Sequence, residues 1–223
     1  RMTVNAHEPI KDCGIRRTWP NMMSREGARG KEWDAWSAGN PPSHEVTLPF
    51  TRLLAGPMDF TPGSMFSAQP EDNRSTGANP MGTGTRAYQM ALYVVFESPL
   101  QMLADNPVLY RREHPCTEFL AAVPTTWDSL RVLRAACGRE VVVARRKGDK
   151  WYVGGITNDR PYTTEIALDF LPAGRTFTMT SFEDGVNADL QATDYRKRVR
   201  EVDASTVVKV EMVRNGGWAA VIE

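Results

Sequence analysis

Cysteine is scarce in this 223-residue sequence, and long apolar runs are absent. The three cysteines, Cys13, Cys116 and Cys137, form no C-x-x-C pair and belong to no histidine-rich cluster. An odd count without such spacing argues against a disulfide framework and against a structural zinc site. We therefore expect ordinary buried thiols. The longest apolar stretch, residues 91–96, is too short to cross a bilayer.

A surplus of either charge is also missing. Lys plus Arg and Asp plus Glu both number 27, so the formal net charge is zero. Nucleic acids and anionic membrane surfaces select basic proteins, and we predict neither as a partner. The N-terminus shows no signal-peptide pattern and begins at Arg1, which we interpret as a processed or truncated product.

The first half of the sequence alternates short extended runs with helical ones, a pattern typical of βα units in a parallel sheet or barrel. We predict strands over residues 2–7 and 22–27 and a third over 58–61. A helix is predicted over residues 46–54. Residues 62–84 have the Gly, Pro, Ser and Asn content of an exposed loop.

Two further helices precede the second half of the sequence. One is predicted over residues 86–104 with a bend at Pro99, because a proline inside a helix removes a hydrogen bond. A shorter helix is predicted over residues 117–122, and it ends before Pro124. The pattern changes at this proline, where we place a domain boundary.

Short β-branched and aromatic runs fill the second half. Turn signals such as Lys147-Gly148-Asp149 separate them at regular intervals. This spacing predicts an antiparallel β-sandwich-like domain over residues 125–223. The predicted strands are 130–135, 140–145, 151–156, 163–168, 176–181, 207–213 and 218–222.

Three carboxylates follow the first two predicted strands: Glu8, Glu26 and Glu32. The C-terminal ends of parallel strands meet at one edge, so these side chains can converge on one pocket. Two carboxyl groups facing a scissile bond suit acetal hydrolysis, and three suit Ca²⁺. Spacing alone leaves open that all three are solvated surface charges or ion-pair partners.

A series of motifs runs in order through nearly the whole sequence. The first are Ala6-His7-Glu8-Pro9-Ile10-Lys11, Arg17-Thr18-Trp19-Pro20-Asn21, Arg25-Glu26-Gly27-Ala28-Arg29-Gly30-Lys31-Glu32-Trp33, Leu48-Pro49-Phe50-Thr51-Arg52 and Ala55-Gly56-Pro57-Met58-Asp59-Phe60-Thr61-Pro62-Gly63. Those downstream are Tyr93-Val94-Val95-Phe96-Glu97-Ser98-Pro99, Ala144-Arg145-Arg146-Lys147-Gly148, Trp151-Tyr152-Val153-Gly154-Gly155 and Asp184-Gly185-Val186-Asn187-Ala188-Asp189. In this order the motifs resemble glycoside hydrolase family 97.

The resemblance implies an architecture. Members of the family have an N-terminal β-sandwich, a catalytic (β/α)8 barrel and a C-terminal β domain. Residues 1–124 would then be the C-terminal part of the barrel, and residues 125–223 the C-terminal antiparallel β domain. The resemblance also implies an oligosaccharide substrate, a periplasmic or secreted location, and N-terminal domains of the same parent chain as partners.

The resemblance implies roles for the three glutamates as well. In the inverting, calcium-dependent α-glucosidase branch, Glu32 matches the general acid. Glu8 matches a general base and calcium ligand, and Glu26 matches a further ligand. We assign Ca²⁺ to Glu8, Glu26 and Glu32, with the share of Glu32 weak because an acid must stay protonated. A second base and one more ligand would come from upstream segments.

The residue after His7 distinguishes the two branches of the family. Retaining members typically carry Gly there, whereas this sequence has Glu8. Inversion needs a base carboxylate about 6.5–9.5 Å from the acid, with room for water between them. The pair Asp12-Cys13 and the residue Trp19 depart from the usual family pattern, which affects the loop geometry rather than the role of Glu8.

Two alternatives stay open at this point. One is a retaining α-galactosidase-type member of the same family, and the other is a non-catalytic carbohydrate-binding or structural fragment. We expect the 223 residues alone to be inactive as an enzyme. Four residues near the motifs, His7, Trp33, Trp36 and Asp59, are left outside the catalytic set because structural roles explain them as well.

Overall fold

The computed structural model describes residues 2–7, 10–75, 77 and 80–223. No helix within these ranges is long and apolar enough to cross a membrane. The elements of the first half are β1 (Val4–Ala6), β2 (Met22–Arg25), α1 (Pro42–Glu45), β3 (Ser67–Ala68), β4 (Gly82–Thr83), α2 (Arg86–Val95), α3 (Pro107–Arg112) and α4 (His114–Ala122). Short 3-10 turns occur at Ile15–Arg17, Lys31–Ala35, Leu48–Phe50 and Arg52–Ala55.

The second half consists of strands. They are β5 (Ser129–Ala136), β6 (Glu140–Lys147), β7 (Lys150–Thr157), β8 (Tyr162–Ala167), β9 (Phe177–Asp184), β10 (Tyr195–Val202), β11 (Val207–Met212) and β12 (Gly217–Ile222). Six form one antiparallel sheet in the order β10-β9-β12-β7-β6-β5, and β8 pairs with β11. All seven strands predicted for this half are confirmed.

The central strands of the large sheet are covered on both faces. Strands β6, β7 and β12 are buried along almost their whole length. Their apolar side chains run without interruption instead of alternating with polar ones, as expected when both faces are packed. One face packs against β8 and β11 in an apolar core that includes Trp218, Ile166 and Val210. The sandwich-like character predicted for this domain is therefore confirmed.

Helix α2 covers the other face of the sheet. All ten of its residues are buried, and the helix shares an apolar core with Val143, Tyr152 and Ile156 of the sheet. Thr85 caps its N-terminus by accepting a hydrogen bond from the amide of Tyr88 at 3.1 Å. The same hydroxyl donates to the Asp184 carboxylate at 2.6 Å. Burial raises the pKa of Asp184 to about 7.

Parallel pairing occurs only in the first half of the described chain. β1 pairs with β2, β3 pairs with β4, and Arg25 forms a parallel bridge with Met58. These contacts fit the predicted βα units, although the predicted strand over residues 58–61 is reduced to that one bridge. The described residues form no closed barrel, so the assignment of residues 1–124 to a barrel and the boundary near Pro124 stay predictions.

Two predicted helices are wrong in extent. The helix over residues 46–54 is replaced by two 3-10 turns, Leu48–Phe50 and Arg52–Ala55, because Pro49 lacks the amide hydrogen that a continuous helix needs. The helix over residues 86–104 ends at Val95, well before Pro99. Its last turn gives way to extended backbone at Phe96, and the next carbonyl, that of Glu97, accepts from the Met58 amide at 2.9 Å.

Three other expectations need correction. The predicted exposed loop over residues 62–84 is confirmed only in part, since Ser64, Ser67 and Gln69 are buried whereas residues 70–72, 74–75 and 77 are exposed. The Gln69 side chain donates to the Ala188 carbonyl at 2.9 Å, which ties this segment to the β domain. Helix α3 was missed entirely. Of the three cysteines only Cys116 is buried, whereas those at positions 13 and 137 are exposed.

Strand β10 was missed because its sequence is too charged for a typical strand. Arg196, Arg198 and Arg200 alternate along it and lie near the Glu183 carboxylate of β9, and Arg200 hydrogen-bonds to it. Residues two apart on a strand point to the same face. The Glu183 carboxylate on the neighbouring strand thus offsets the mutual repulsion of the three arginines. Local sequence propensity alone would disfavour a strand with so many charged residues.

Replacing Gly154 by Ala should weaken the contact between α2 and the sheet. A Cβ atom at this position would meet the Ala91 carbonyl oxygen and the Val94 Cβ atom at 2.8 Å each. We expect a loss of about 1–3 kcal/mol in the free energy of unfolding, measured by urea denaturation. Gly155→Ala is the matched control, because its nearest neighbour would lie at 3.3 Å. Equal losses in the two variants would contradict this packing argument.

Candidate functional site

Two parallel strands bring His7 and Glu26 together. His7 directly follows β1 and Glu26 directly follows β2, whose last residues, Ala6 and Arg25, pair in register. The Glu26 amide donates to the Ala6 carbonyl at 2.9 Å, which continues the pairing for one more residue. The site therefore begins where the two strands end, as the sequence predicts for parallel neighbours.

His7 lies among three carboxylates. Its Nε2 atom is 2.6 Å from Asp59 Oδ2, and its Nδ1 atom is 3.6 Å from Glu32 Oε1 and 4.0 Å from Glu26 Oε2. The side chains of His7 and Glu32 are about equally exposed, at 40% and 42%, whereas Asp59 is 1% exposed. One side of the cluster thus faces solvent and the other side is part of the protein interior.

Asp59 is held by a chain of hydrogen bonds. The Asn5 amide group donates to Asp59 Oδ2 at 2.5 Å, and the Ser24 hydroxyl donates to Asn5 Oδ1 at 2.7 Å. The Asp59 backbone amide donates to the Arg25 carbonyl at 3.1 Å. Side chains from β1 and β2 and the backbone at the end of β2 therefore fix the carboxylate that orients His7.

The buried guanidinium of Arg52 fixes the end of β2. It donates to the carbonyls of Arg25 and Glu26 at 2.8 and 3.0 Å, and to those of Gly56 and Pro57 at 3.0 and 3.2 Å. Burial lowers the pKa of Arg52, but from so high a starting value that the group stays charged. These hydrogen bonds hold the backbone at Arg25 and Glu26 in place, and with it the start of the Glu26 side chain.

Glu32 is carried by the 3-10 turn Lys31–Ala35. The inward residues of this turn, Lys31 and Asp34, form a buried ion pair at 3.0 Å. Lys31 Nζ also donates to the Met81 carbonyl at 3.0 Å, and Asp34 Oδ1 accepts from the Asn40 amide at 2.7 Å. The turn is anchored on its inner side, which leaves Glu32 facing the cluster.

The hydrogen bond to Asp59 raises the pKa of His7, while partial burial opposes that shift. The charges of Glu26 and Glu32 raise it further. A protonated imidazole between carboxylates reduces their mutual repulsion. The cluster can therefore keep several acidic groups within a small volume.

The donor set fits a hard cation in part. One atom each of His7, Glu26 and Glu32 lies within 4.8 Å of the others. Carboxylate oxygens are the ligands that Ca²⁺ prefers, whereas imidazole nitrogen suits transition metals. By donor type the two glutamates therefore fit a calcium site better than the histidine does.

The structure brings two of the three predicted site residues, Glu26 and Glu32, together, while Glu8 lies outside the described residues. The catalytic and calcium-binding roles of all three stay predictions. His7 and Asp59 were left out of the catalytic set, yet they lie at the centre of the cluster. Their positions could have indicated them. His7 follows β1, which pairs in parallel with β2, and Asp59 follows Met58, which forms a parallel bridge with Arg25 of β2.

Comparison with known proteins identifies the family. Residues 126–223 match the family model described as "Glycosyl-hydrolase 97 C-terminal, oligomerisation", and residues 1–28 match "Glycoside hydrolase 97". The chain belongs to glycoside hydrolase family 97. The family 97 resemblance of the motifs is thereby confirmed, and one of the two matched models is that of the family's C-terminal region.

Two curated relatives of this family 97 chain are named as galactosidases. "Retaining alpha-galactosidase" from Bacteroides thetaiotaomicron is 40% identical over 100% of the chain and 34% of the relative. "Probable retaining alpha-galactosidase" from Streptomyces bingchenggensis is 33% identical over 99% of the chain and 31% of the relative. The family 97 chain thus spans about a third of the length of these relatives.

A solved relative shares the fold of this family 97 chain. A glycoside hydrolase family 97 enzyme from Pseudoalteromonas sp., in complex with acarbose, superposes with a TM-score of 0.90 and 42% identity. The match covers 99% of this chain and 34% of that one. A variant of that enzyme has also been solved in complex with panose.

Replacing Asp59 by Asn should lower the pKa of His7. The wild-type imidazole should titrate above the ordinary value of about 6.5, because its strongest stabilising contact is the hydrogen bond to the Asp59 carboxylate. NMR titration of the His7 ring protons in metal-free buffer measures both values. His114, an exposed histidine in α4, serves as the internal control. An unchanged His7 titration in Asp59→Asn would show that Asp59 does not control this imidazole.

Proposed function

We propose that this chain is the C-terminal part of a family 97 enzyme that hydrolyses α-glucosidic bonds of oligosaccharides with inversion. The observation that carries the proposal is the cluster of Glu26 and Glu32 around His7 at the ends of parallel strands. The complexes of a family 97 enzyme with acarbose, at 42% identity, and with panose, at 41% identity, support an oligosaccharide substrate. The rest of the active site would come from N-terminal segments of the parent protein.

Glu32 is proposed as the general acid. Its partial exposure leaves room for a substrate, and its carboxyl group would give a proton to the glycosidic oxygen as the bond to the anomeric carbon breaks. Glu8, with a partner from an upstream segment, would take a proton from the attacking water. The water oxygen forms the new bond from the opposite face, which inverts the anomeric centre.

A calcium ion is proposed as the cofactor, held by Glu8 and Glu26 with a weaker share from Glu32. Bound Ca²⁺ would orient these carboxylates and favour their ionised forms. That effect suits a base such as Glu8. Glu32 must keep its proton to act as an acid, so it fits a peripheral position near the ion better than a direct, close contact.

The second candidate is a retaining α-galactosidase, which the names of both curated relatives favour. Family resemblance associates retention with Gly after the histidine, and this chain has Glu8 at that position. Because one residue separates the two mechanisms at this place, the identity of position 8 favours inversion.

The β domain over residues 126–223 is proposed to support self-association, following the description of its family model.

Hydrolysis of an α-linked substrate by the full-length enzyme should release the β-anomer first. A single displacement by water inverts the anomeric carbon, whereas two displacements would retain it. NMR of the first-formed product, recorded before mutarotation, distinguishes the two outcomes for both glucosides and galactosides. Release of the α-anomer first would remove Glu8 from the role of base and would favour the retaining candidate.

Glu8→Gln and Glu32→Gln should differ in their dependence on the leaving group. Loss of a general acid or base costs about a hundredfold or more in rate. Substrates with good leaving groups need little protonation, so we expect Glu32→Gln to be least impaired on 2,4-dinitrophenyl glycosides. Glu8→Gln should be impaired equally on good and poor leaving groups. The same leaving-group dependence in both variants would contradict this division of roles.

Removal of calcium should reduce the activity of the full-length enzyme, and added Ca²⁺ should restore it. Without the cation, close carboxylates repel one another and the base is no longer held ionised. Activity is measured at neutral pH after EGTA treatment and gel filtration, with Mg²⁺ as the control ion. Full activity in the chelated enzyme would show that these glutamates hold no functional metal.

A further inference from the structure

The Arg52 guanidinium joins two backbone segments that lead to different carboxylates of the cluster. Two of its hydrogen bonds go to carbonyls at the end of β2, and two go to carbonyls of the segment that leads to Asp59. The first segment carries the Glu26 side chain, and the second carries the carboxylate that contacts His7. Arg52 is only 6% exposed, so it acts on the site through these backbone segments.

The two segments are also bonded directly to each other. Arg25 forms a parallel bridge with Met58, and the Arg25 carbonyl accepts from the Asp59 amide at 3.1 Å. The same carbonyl accepts from Arg52 Nη2 at 2.8 Å, which its second lone pair allows. Since this bridge is all the strand pairing that the described residues show between the two segments, the hydrogen bonds of the guanidinium supply further cross-links.

Glycines on both segments leave room for the guanidinium. At Gly27, which directly follows Glu26, an added Cβ atom would lie 2.9 Å from Arg52 Nε. At Gly56 the backbone has a φ of 140°, which residues with a side chain rarely adopt. The Gly56 carbonyl accepts from Arg52 Nη1 at 3.0 Å. Both glycines belong to the sequence motifs of the first half, and this packing gives them a role.

Only arginine has the donor geometry for this junction. Its planar guanidinium carries five N–H donors in a fixed fork. In Arg52, donors on Nε, Nη1 and Nη2 reach four carbonyl oxygens on the two segments. A lysine ammonium keeps the charge, but its three donors lie on one atom and cannot span the same acceptors. Arg52→Lys therefore removes the junction and preserves the net charge.

We propose that Arg52 is a positioning residue of the candidate site, which sets the distance between the Glu26 carboxylate and the pair of Asp59 with His7. The inference rests on the proposed function, in which Glu26 binds Ca²⁺ and the cluster is catalytic. Groups that stabilise a transition state must be held in place beforehand, and a small misplacement slows turnover even when every group is present. Residues that orient metal ligands likewise contribute to metal affinity.

The test compares Arg52→Lys with Arg145→Lys in the full-length enzyme. Arg145 is the matched control, because it is a buried arginine of β6 that donates to a backbone carbonyl, that of Val95, at 3.1 Å. Both variants should lower the melting temperature. Only Arg52→Lys should lower kcat on 4-nitrophenyl α-glucoside or α-galactoside, by about ten- to hundredfold, with little change in KM. Calorimetric titration of metal-free enzyme should show its Kd for Ca²⁺ raised by about tenfold or more, and that of Arg145→Lys unchanged.

A second pair of variants disturbs the junction without changing any charge. Gly27→Ala places a Cβ atom against Arg52 Nε and the Lys11 backbone, whereas Gly14→Ala has the same kind of positive φ but meets nothing within 4 Å. We expect Gly27→Ala to lower kcat and to weaken Ca²⁺ binding, and Gly14→Ala to do neither. This pair tests the proposal if Arg52→Lys does not fold.

An unchanged kcat or an unchanged Kd for Ca²⁺ in Arg52→Lys would overturn the positioning role. Equal changes in Arg145→Lys, or a rise in KM alone, would overturn it as well, because general stability or substrate binding would then explain the effect. Failure of the proposed function shows in the wild type instead. Absent Ca²⁺ binding there would refute the calcium assignment while kcat still tests Arg52, and absent turnover would refute the catalytic assignment while the Kd still tests it. Absence of both would leave no site to position and would overturn the inference too.

Discussion

The complete burial of α2 is the constraint on which the rest of the structure depends. The helix packs against the large sheet and shares one apolar core with Met58, Phe60 and Met65. Gly154 allows the close approach to the sheet, because any larger residue would meet the helix backbone. The strands that carry the acidic cluster are therefore backed, through α2, by the β domain, which gives that domain a supporting role in positioning the site.

In the first half of the chain, buried charged side chains bind the backbone and each other, whereas partly exposed ones lie at the candidate site. Arg52 and Lys31 are buried, and their hydrogen bonds go to carbonyls and to Asp34. Buried charges of this kind persist only when fully paired. The partly exposed members, His7 and Glu32, lie on the solvent side of the cluster, where a substrate could reach them.

Local patterns predicted the strands of the β domain, because alternation and turn residues are properties of neighbouring positions. They failed for β10, whose arginines are tolerated only because Glu183 lies on the adjacent strand. The convergence of Glu26 and Glu32 followed from strand ends in parallel pairing. The bond between His7 and Asp59 joins residues 52 positions apart, and no local pattern encodes such a contact. Likewise, the hydrogen bond from the Met58 amide to the Glu97 carbonyl, just beyond α2, is a long-range contact that local periodicity does not encode.

One short turn combines two properties that the proposed chemistry needs. Its inner side is held by the buried ion pair of Lys31 with Asp34, and its second residue, Glu32, lies 3.6 Å from His7 Nδ1. A flexible loop could present the same carboxyl group but would lose conformational entropy on binding a sugar. The turn has already lost that entropy in folding, so a change at the inner ion pair should disturb the position of Glu32 even though neither inner side chain belongs to the cluster.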